Sequence, residues 1–358
     1  MTNTAAPSSG SGRIKCLVWD LDHTIWDGIL LEDSSVSLRP GLRDVLLALD
    51  ERGILLSIAS KNDAVVARAK LEELDISEYF LYPQFSWSPK SESIRRIAES
   101  LNIGLDALAF IDDQAFERDE VRFSHPSVTC YDAAALSSLL EFPDLRPRFH
   151  TEDARNRRAL YRANIARQAD EEKFAGPANE FLATLGMVIG IHRACADDLS
   201  RVEELTVRTH QLNTTGYAYS YEELDHLRSS PNYRLLVVDL DDRYGSYGKV
   251  GVCLLGCTSE TWTVKLLLMS CRVATRGIGT ILVTLLRTEA RSAGVKLRAE
   301  FVANDRNRMM YVTYRFNGFR PLNEGGAVAL LEDDGSDIPP FPSHVVVNAE
   351  RGILQWRV

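Results

Sequence analysis

The sequence predicts a doubly wound α/β domain built on a parallel sheet, followed by an α+β domain of different layout. Three observations predict it. From Ile14 to about Asp132, short runs that are apolar throughout alternate with amphipathic stretches, the pattern of a parallel sheet covered on both faces. A proline-rich connector, EFPDLRPRFH at 141–150, then interrupts the alternation. From Gly186 onward the strands and helices follow a new spacing around one long helix, GTILVTLLRTEARSAG.

In chain order the first domain reads IKCLVWD, GLRDVLLALDERG, ILLSIAS, DAVVARAKLEELD, PKSESIRRIAESLNI, ALAFIDD and SVTCYD. A charged helix with little apolar face, EDARNRRALYRANIARQADEEKF, follows the connector. The second domain reads GMVIGIHRA, DLSRVEELTVRTHQL, YRLLVVDLDDRYG, KVGVCLLGC, WTVKLLLMSCRV, the long helix, KLRAEFVA and RMMYVTYRFNGF, with its strands expected to be antiparallel. The expected boundaries are a disordered tail at 1–13, a first domain at 14–142, a connector with linker helix at 143–185 and a second domain at 186–358. A chain of 358 residues, 45% hydrophobic, suits two cores.

Charge and cysteine usage narrow the function classes. With 41 basic and 50 acidic side chains the net charge is −9, which excludes a general nucleic-acid binder, because duplex affinity comes mainly from neutralising phosphates. The six cysteines show no zinc-finger spacing, so reduced thiols are expected. MTNTAAPSSGSGR has no apolar segment and no later run approaches membrane-spanning length. A cytoplasmic protein without a membrane partner is expected.

In doubly wound sheets ligands bind beyond the carboxyl ends of the strands. Asp20 and Asp22, Ser60, and Asp112 with Asp113 fall at those ends. Two carboxylates one residue apart repel, and a hard cation such as Mg2+ lets both ionise. One can then attack phosphorus while the other handles the proton. Ser60 can hydrogen-bond phosphate oxygens, Lys90 can neutralise them, and Asp112 or Asp113 can complete the metal shell. Singly, a serine at a strand end is usually a cap and a lysine on a helix is usually solvated. The set in this order carries the signal.

With these residues in view, the first domain resembles the haloacid dehalogenase (HAD) superfamily of phosphatases. DLDHT matches its D-x-D-x-T signature, IAS its second motif, Lys90 in WSPKSES its third and FIDD its fourth. The resemblance implies that Asp20 is the phosphoryl-accepting nucleophile and Asp22 the general acid/base, its backbone carbonyl also meeting Mg2+. It implies a metal set of Asp20, Asp22, Asp112 and Asp113. Thr24, Ser60, Lys61, Asn62 and Lys90 are the expected phosphate-binding residues. The intervals between Asp20, Ser60 and Lys90 are too short for an inserted cap, so a capless HAD-type sheet is expected. A large substrate or the second domain would then exclude water.

A second candidate site lies in SCRVATRGIGT at 270–280. Glycines between a strand and a helix start let backbone N–H groups approach an anion. Downstream, YRFNGF supplies Tyr314, a candidate proton donor to a thiolate. Together these resemble the GNAT acyltransferase fold, with Ala274 in place of its usual Gln or Arg. Arg272, Arg276, Gly277, Gly279 and Tyr314 are then the expected pantetheine-binding residues.

Across almost the whole chain SKND, FIDDQAFER, RTHQLNTT, DRYGSYG and LLLMSCRV resemble the FkbH-like glyceryl transferase/phosphatases of polyketide pathways, with His23 and His210 where that family commonly has Asn. The resemblance implies transfer of a glyceryl group from 1,3-bisphosphoglycerate, with loss of phosphate, to the phosphopantetheine thiol of an acyl carrier protein. A thiolate attacks an acyl phosphate readily and its thioester exchanges with another thiol at little cost. Cys130 is preferred as that thiol because it follows the Asp112/Asp113 strand, and Cys271, before the glycine-rich turn, is the alternative. His210 is a candidate to orient a group on the carrier side. Between Arg272 and Arg320 ten Arg/Lys stand against three acids, which suits an acidic carrier protein supplied as a separate chain. The competing reading is a Mg2+-dependent phosphatase whose second domain only binds the carrier.

Overall fold

A computed structural model describes residues 14–33, 35–146, 149–323, 326–350 and 352–354, and the tail expected at 1–13 lies outside them. The chain divides into two units, Met1–Arg162 and Ala163–Val358.

In the first unit, CLVW forms β1 (Cys16–Trp19), buried at every position. Four apolar residues in succession need cover on both faces. α1 (Leu42–Glu51) turns Leu42, Val45, Leu46 and Leu49 inward, and left-handed Gly41 at φ 77° begins it. β2 (Leu55–Ser60) is buried throughout. α2 (Ala64–Glu73) starts on Asp63, whose carboxylate accepts from the N–H groups of Val65 and Val66. There follow β3 (Gln84–Phe85), α3 (Lys90–Leu101), β4 (Leu108–Asp112), α4 (Ala115–Ser124) and β5 (Thr129–Asp132). The strands run in the order β3-β2-β1-β4-β5, all neighbours parallel.

The chain reverses its winding direction between β1 and β4, where such a sheet opens a crevice. Asp20 lies there beside β4, its N–H donating to the Ile111 carbonyl at 3.0 Å. A ribbon of Trp26–Asp27 with Ser37–Leu38 is the only sheet structure described between β1 and α1, and α2, one 3-10 turn and β3 fill the span from Ser60 to Lys90. The sheet is therefore capless, as expected. β5 differs from expectation: its residues are part-exposed, and Cys130 pairs with Phe110 while Asp132 pairs with Asp112. Cys130 therefore lies two residues short of the strand's carboxyl end.

The charged helix forms α5 (Arg157–Lys173), and the division between the units falls inside it rather than near Pro143. Polar contacts explain the shift. Arg157 donates to the Gly53 carbonyl at 2.8 Å and Arg158 to Asp50 at 3.1 Å, within the first unit. Further along, Arg167 pairs with Asp242 at 2.8 Å, within the second.

The second unit begins with the rest of α5 and α6 (Ala178–Thr184), then β6 (Met187–Arg193), α7 (Leu199–Arg208), α8 (Tyr221–Ser229), β7 (Tyr233–Asp242), β8 (Gly245–Cys257) and β9 (Thr261–Met269). It continues with α9 (Ile278–Ala293), β10 (Lys296–Phe301), α10 (Arg308–Phe316), β11 (Phe319–Pro321), β12 (Ala329–Asp333) and β13 (Val345–Ala349). The sheet order is β11-β12-β10-β9-β8-β7-β6-β13. This is the α+β architecture expected.

Its strands are not all antiparallel. β9 and β10 pair in parallel, because α9 crosses over between them, and β13 adds in parallel to β6. The β9/β10 pairing covers Thr261–Val264 against Lys296–Ala299, while β9 continues to Met269. The exposed backbone needs other partners. The segment 212–214 supplies them: Met269 N–H donates to the Leu212 carbonyl at 2.9 Å, Thr214 N–H to Leu267 at 3.1 Å, and Val302 N–H to Thr214 at 2.9 Å. RTHQLNTT thus serves as a wedge between two diverging strands. No helix of the described residues is long and apolar enough to cross a membrane.

Candidate active site

Three carboxylates converge at the crevice. One oxygen each from Asp20, Asp112 and Asp113 lies within 4.8 Å of the others. β1 and β4 deliver the first two, and the turn into α4 delivers the third. Asp112 Oδ1 accepts from the Gln114 N–H at 2.8 Å, and Arg118 of α4 donates to the Asp112 and Asp113 carbonyls at 2.8 Å each. Arg118 also pairs with Asp132 at 2.6 Å, so one guanidinium fixes the acidic turn.

Lys90, the first residue of α3, enters this cluster while only 3% exposed. Its ammonium hydrogen-bonds Asp20, donates to the Ala59 carbonyl at 2.7 Å and stands 3.3 Å from Asp112 Oδ2. Burial holds the Asp20 carboxyl up to about 7; Lys90 opposes this and Asp112 adds to it. Burial also raises Asp112. For Lys90 burial acts downward, but Asp20 and Asp112 raise it on balance, so the ammonium stays charged.

Mg2+ fits this site. Asp112 Oδ2 and Asp113 Oδ1 are buried without a hydrogen bond, although Lys90 stands within ion-pair reach of the former. Three carboxylates against one ammonium leave an excess that a divalent cation would balance, and the donors are hard oxygens.

The Asp22 carboxylate stands outside the cluster, which leaves its backbone carbonyl as the group expected to meet the metal. Its oxygens accept from Trp26 Nε1 at 2.7 Å, the Leu30 N–H at 3.0 Å and Asn62 Nδ2 at 3.0 Å. The short loop after β1 folds back on itself, and the Trp26 indole, four residues on, reaches the carboxylate first. Asn62 is accordingly a positioning partner of Asp22 rather than a phosphate ligand. Lys61 is also corrected: it pairs with buried Glu117 at 2.5 Å. Ser60 closes β2, 3% exposed. Thr24 is buried, its hydroxyl without a hydrogen-bond partner. Sequence reasoning missed Trp26 and Arg118, although Arg118 lies inside the quoted FIDDQAFER.

In the second unit Gly277 begins α9 in the left-handed region, φ 73°, with open space where a side chain would stand. Gly279 is a packing glycine, since a Cβ there would stand 2.8 Å from Met269 Cε. Arg276 is buried and pairs with Glu171 at 3.2 Å, while its Nε and Nη1 have no hydrogen-bond partner. Cys271 opens a 3-10 turn just after β9 and is part-exposed, and Arg272 beside it donates to Ser270 Oγ at 3.4 Å. His210 is exposed, just before the wedge.

Two expectations fail here. Tyr314 is wholly buried on the inner face of α10 against Phe319, with ring centroids 5.3 Å apart. Burial raises its hydroxyl well above the usual range, so it is not placed to protonate an arriving thiolate. Burial likewise pushes the Cys130 thiol up to about 11, against the pull of Arg122 and Arg118. Two residues short of the strand end and held as a thiol, Cys130 is a weak nucleophile in this setting.

Residues 26–117 match the haloacid dehalogenase-like hydrolase family. The first unit carries a haloacid dehalogenase-like hydrolase domain. The matched span holds Ser60, Lys90, Asp112 and Asp113 and begins just after Thr24. Among solved structures, the N-terminal part of a Bacteroides fragilis protein containing a phosphatase domain, complexed with Mg, is 32% identical, with 37% of this chain and 40% of that chain covered and a TM-score of 0.33. An N-acetyltransferase from Thermoplasma acidophilum in complex with coenzyme A is 17% identical, covering 40% of this chain and 98% of that one at a TM-score of 0.33. The ribosomal-protein-S18-alanine N-acetyltransferase from Escherichia coli is 14% identical, covering 43% and 99% at a TM-score of 0.33. No curated protein matches the chain in sequence.

Proposed function

We propose that this chain is a Mg2+-dependent glyceryl transferase and phosphatase. It takes the glyceryl group of 1,3-bisphosphoglycerate, releases phosphate and loads the phosphopantetheine thiol of a separate acyl carrier protein for polyketide assembly in the cytoplasm. The observation that carries the phosphoryl half is the convergence of Asp20, Lys90, Asp112 and Asp113. The acyl half rests on the motifs shared with FkbH-like proteins and on Cys271 at the turn into α9.

Asp20 attacks the phosphorus of the terminal phosphate, and the bond from phosphorus to the glyceryl oxygen breaks with its electron pair going to that oxygen. Asp22, held by Trp26, Leu30 and Asn62, supplies the proton and then takes one from the water that hydrolyses the aspartyl phosphate. Ser60 and Lys90 hold the phosphate oxygens. Mg2+, held by Asp20, Asp112, Asp113 and the Asp22 carbonyl, would offset the charge on the transferring group. At the acyl phosphate, the Cys271 thiolate forms a bond to the carbonyl carbon as the bond to phosphate breaks. The carrier thiol then displaces Cys271. The cationic stretch from Arg272 to Arg320 favours an acidic carrier.

Intact-protein mass spectrometry tests this directly, after incubation with Mg2+ and enzymatically generated 1,3-bisphosphoglycerate and then with a pantetheinylated carrier. A glyceryl adduct on Cys271 that moves to the carrier is expected. The burial of Tyr314 favours the second reading, a phosphatase whose second unit only binds the carrier. Phosphate release with no mass gain on enzyme or carrier would establish that reading instead.

A further inference from the structure

Far from the glycine-rich turn, the second unit carries a pocket of about 360 Å³, open to solvent, between the end of β6, the end of α8 and the start of β7. Its lining includes Arg193, Arg228 and Arg234 with Ser229, Ser230 and Tyr233, and no acidic residue among the described residues. Tyr233 of β7 pairs with Gly256 of β8, whereas Met269, at the end of β9 that leads to the turn, pairs with Gly251. Gly256 itself pairs with Thr263. At about 3.3 Å per residue the pocket is therefore roughly 20 Å along the sheet from the turn.

The guanidinium groups are held in place by their surroundings. Arg193 Nε donates to the Ile353 carbonyl at 2.7 Å, and Arg234 Nη1 donates to the carbonyls of Pro231 and Tyr233 at 2.8 and 2.7 Å. Arg228 pairs with Asp225, outside the lining, at 2.5 Å. Arg234 is only 6% exposed, so a charged side chain is built into the wall. Burial pushes the Cys257 thiol up to about 11, opposed by the charges of Arg234 and Arg193.

We infer that this pocket binds a small phosphorylated molecule, a phosphate or diphosphate group lying against the three arginines. Guanidinium forks match phosphate geometry, and several together suit an oxyanion with more than one charge. A volume near the lower bound of ligand cavities fits a small molecule rather than a peptide. Ser229 and Ser230 supply hydroxyl donors for the remaining oxygens. The inference is independent of the chemistry proposed for Asp20.

Calorimetric titration of the full chain with inorganic pyrophosphate, in EDTA at fixed ionic strength, tests it. Saturable binding is expected, weakened about tenfold or more by Arg228→Gln or Arg193→Gln and unchanged by Asp20→Asn. Both arginines are at least part-exposed, and circular dichroism checks that each variant folds. No saturable binding at millimolar pyrophosphate overturns the inference. So does undiminished binding by both arginine variants, which would assign the anion to another cationic site such as that of Lys90.

Discussion

Lys90 and Asp20, seventy residues apart in sequence, form a buried ion pair at the crevice of the first sheet. The ammonium also reaches to 3.3 Å from Asp112, so one cation separates two carboxylates that would otherwise repel. The arrangement holds the Asp20 carboxyl ionisable in a nearly closed environment.

Replacing Lys90 by Met removes that cation. The loss of one partner of a buried pair is expected to lower stability by about 3–5 kcal/mol, read by urea unfolding in EDTA. Phosphatase kcat/KM should fall on the order of 100-fold or more. A variant as stable and active as the native chain would show that Lys90 does not hold the site together.

Metal and pH are linked through Asp20. Burial pushes its folded carboxyl up to about 7 from an ordinary 3.8. Below the lower value both states are protonated and the group contributes nothing. As pH rises, the unfolded chain releases this proton while the folded chain keeps it, so metal-free stability falls between about pH 4 and pH 7. Mg2+ binds the ionised carboxylates, so its stabilisation should be larger at pH 8 than at pH 5. Thermal unfolding at the two pH values, with Mg2+ and with EDTA, reads the difference directly; equal shifts would contradict it.

The two cysteines should separate cleanly. Cys271→Ala is expected to abolish carrier acylation while phosphate release from an ordinary phosphomonoester continues. Cys130→Ala should retain carrier acylation. The reverse pattern in a carrier-loading assay would return the role to Cys130.

Arg118 supports the acidic turn from outside it. Arg118→Gln removes the donor to the Asp112 and Asp113 carbonyls and is expected to weaken Mg2+ affinity by about 10- to 100-fold. Titrating phosphatase activity with Mg2+ measures this, and saturating Mg2+ should restore most of the rate. Unchanged affinity would mean the turn keeps its shape unaided.

The side chains of Arg167 and Asp242 are both fully buried, with hydrogen bonds of 2.8 and 2.9 Å between them. The Arg167 guanidinium also lies over the Tyr247 ring, 3.7 Å from its centroid. Arg167→Leu leaves Asp242 buried without its cation and is expected to cost about 3–5 kcal/mol in the unfolding of the second unit, measured by urea denaturation. A loss within experimental scatter would show that solvent reaches Asp242.

The parallel sheet, the place of Asp20, Asp112 and Asp113 at its carboxyl edge and the absence of an inserted cap were all legible before any coordinates. Continuous apolar runs can be buried only one way, and the distance between motifs along the chain bounds what can fold between them. α8 was also within reach: Ser220 and Glu223 form a capping box, a signal that reading the apolar pattern alone passed over.

What the local pattern does not contain is which distant groups meet. Lys61 turns to Glu117, fifty-six residues away, and Asn62 to Asp22, forty residues away, so two expected phosphate ligands became supports. Cys130 missed the catalytic edge by two residues because register is set by pairing with β4, not by where the apolar run stops. Tyr314 went inward because the apolar face of α10 includes it. The chain alone specified the strand ends and the chemistry available there; only tertiary packing, by choosing partners through space and excluding water, decided which of those groups stay ionised, exposed and able to react.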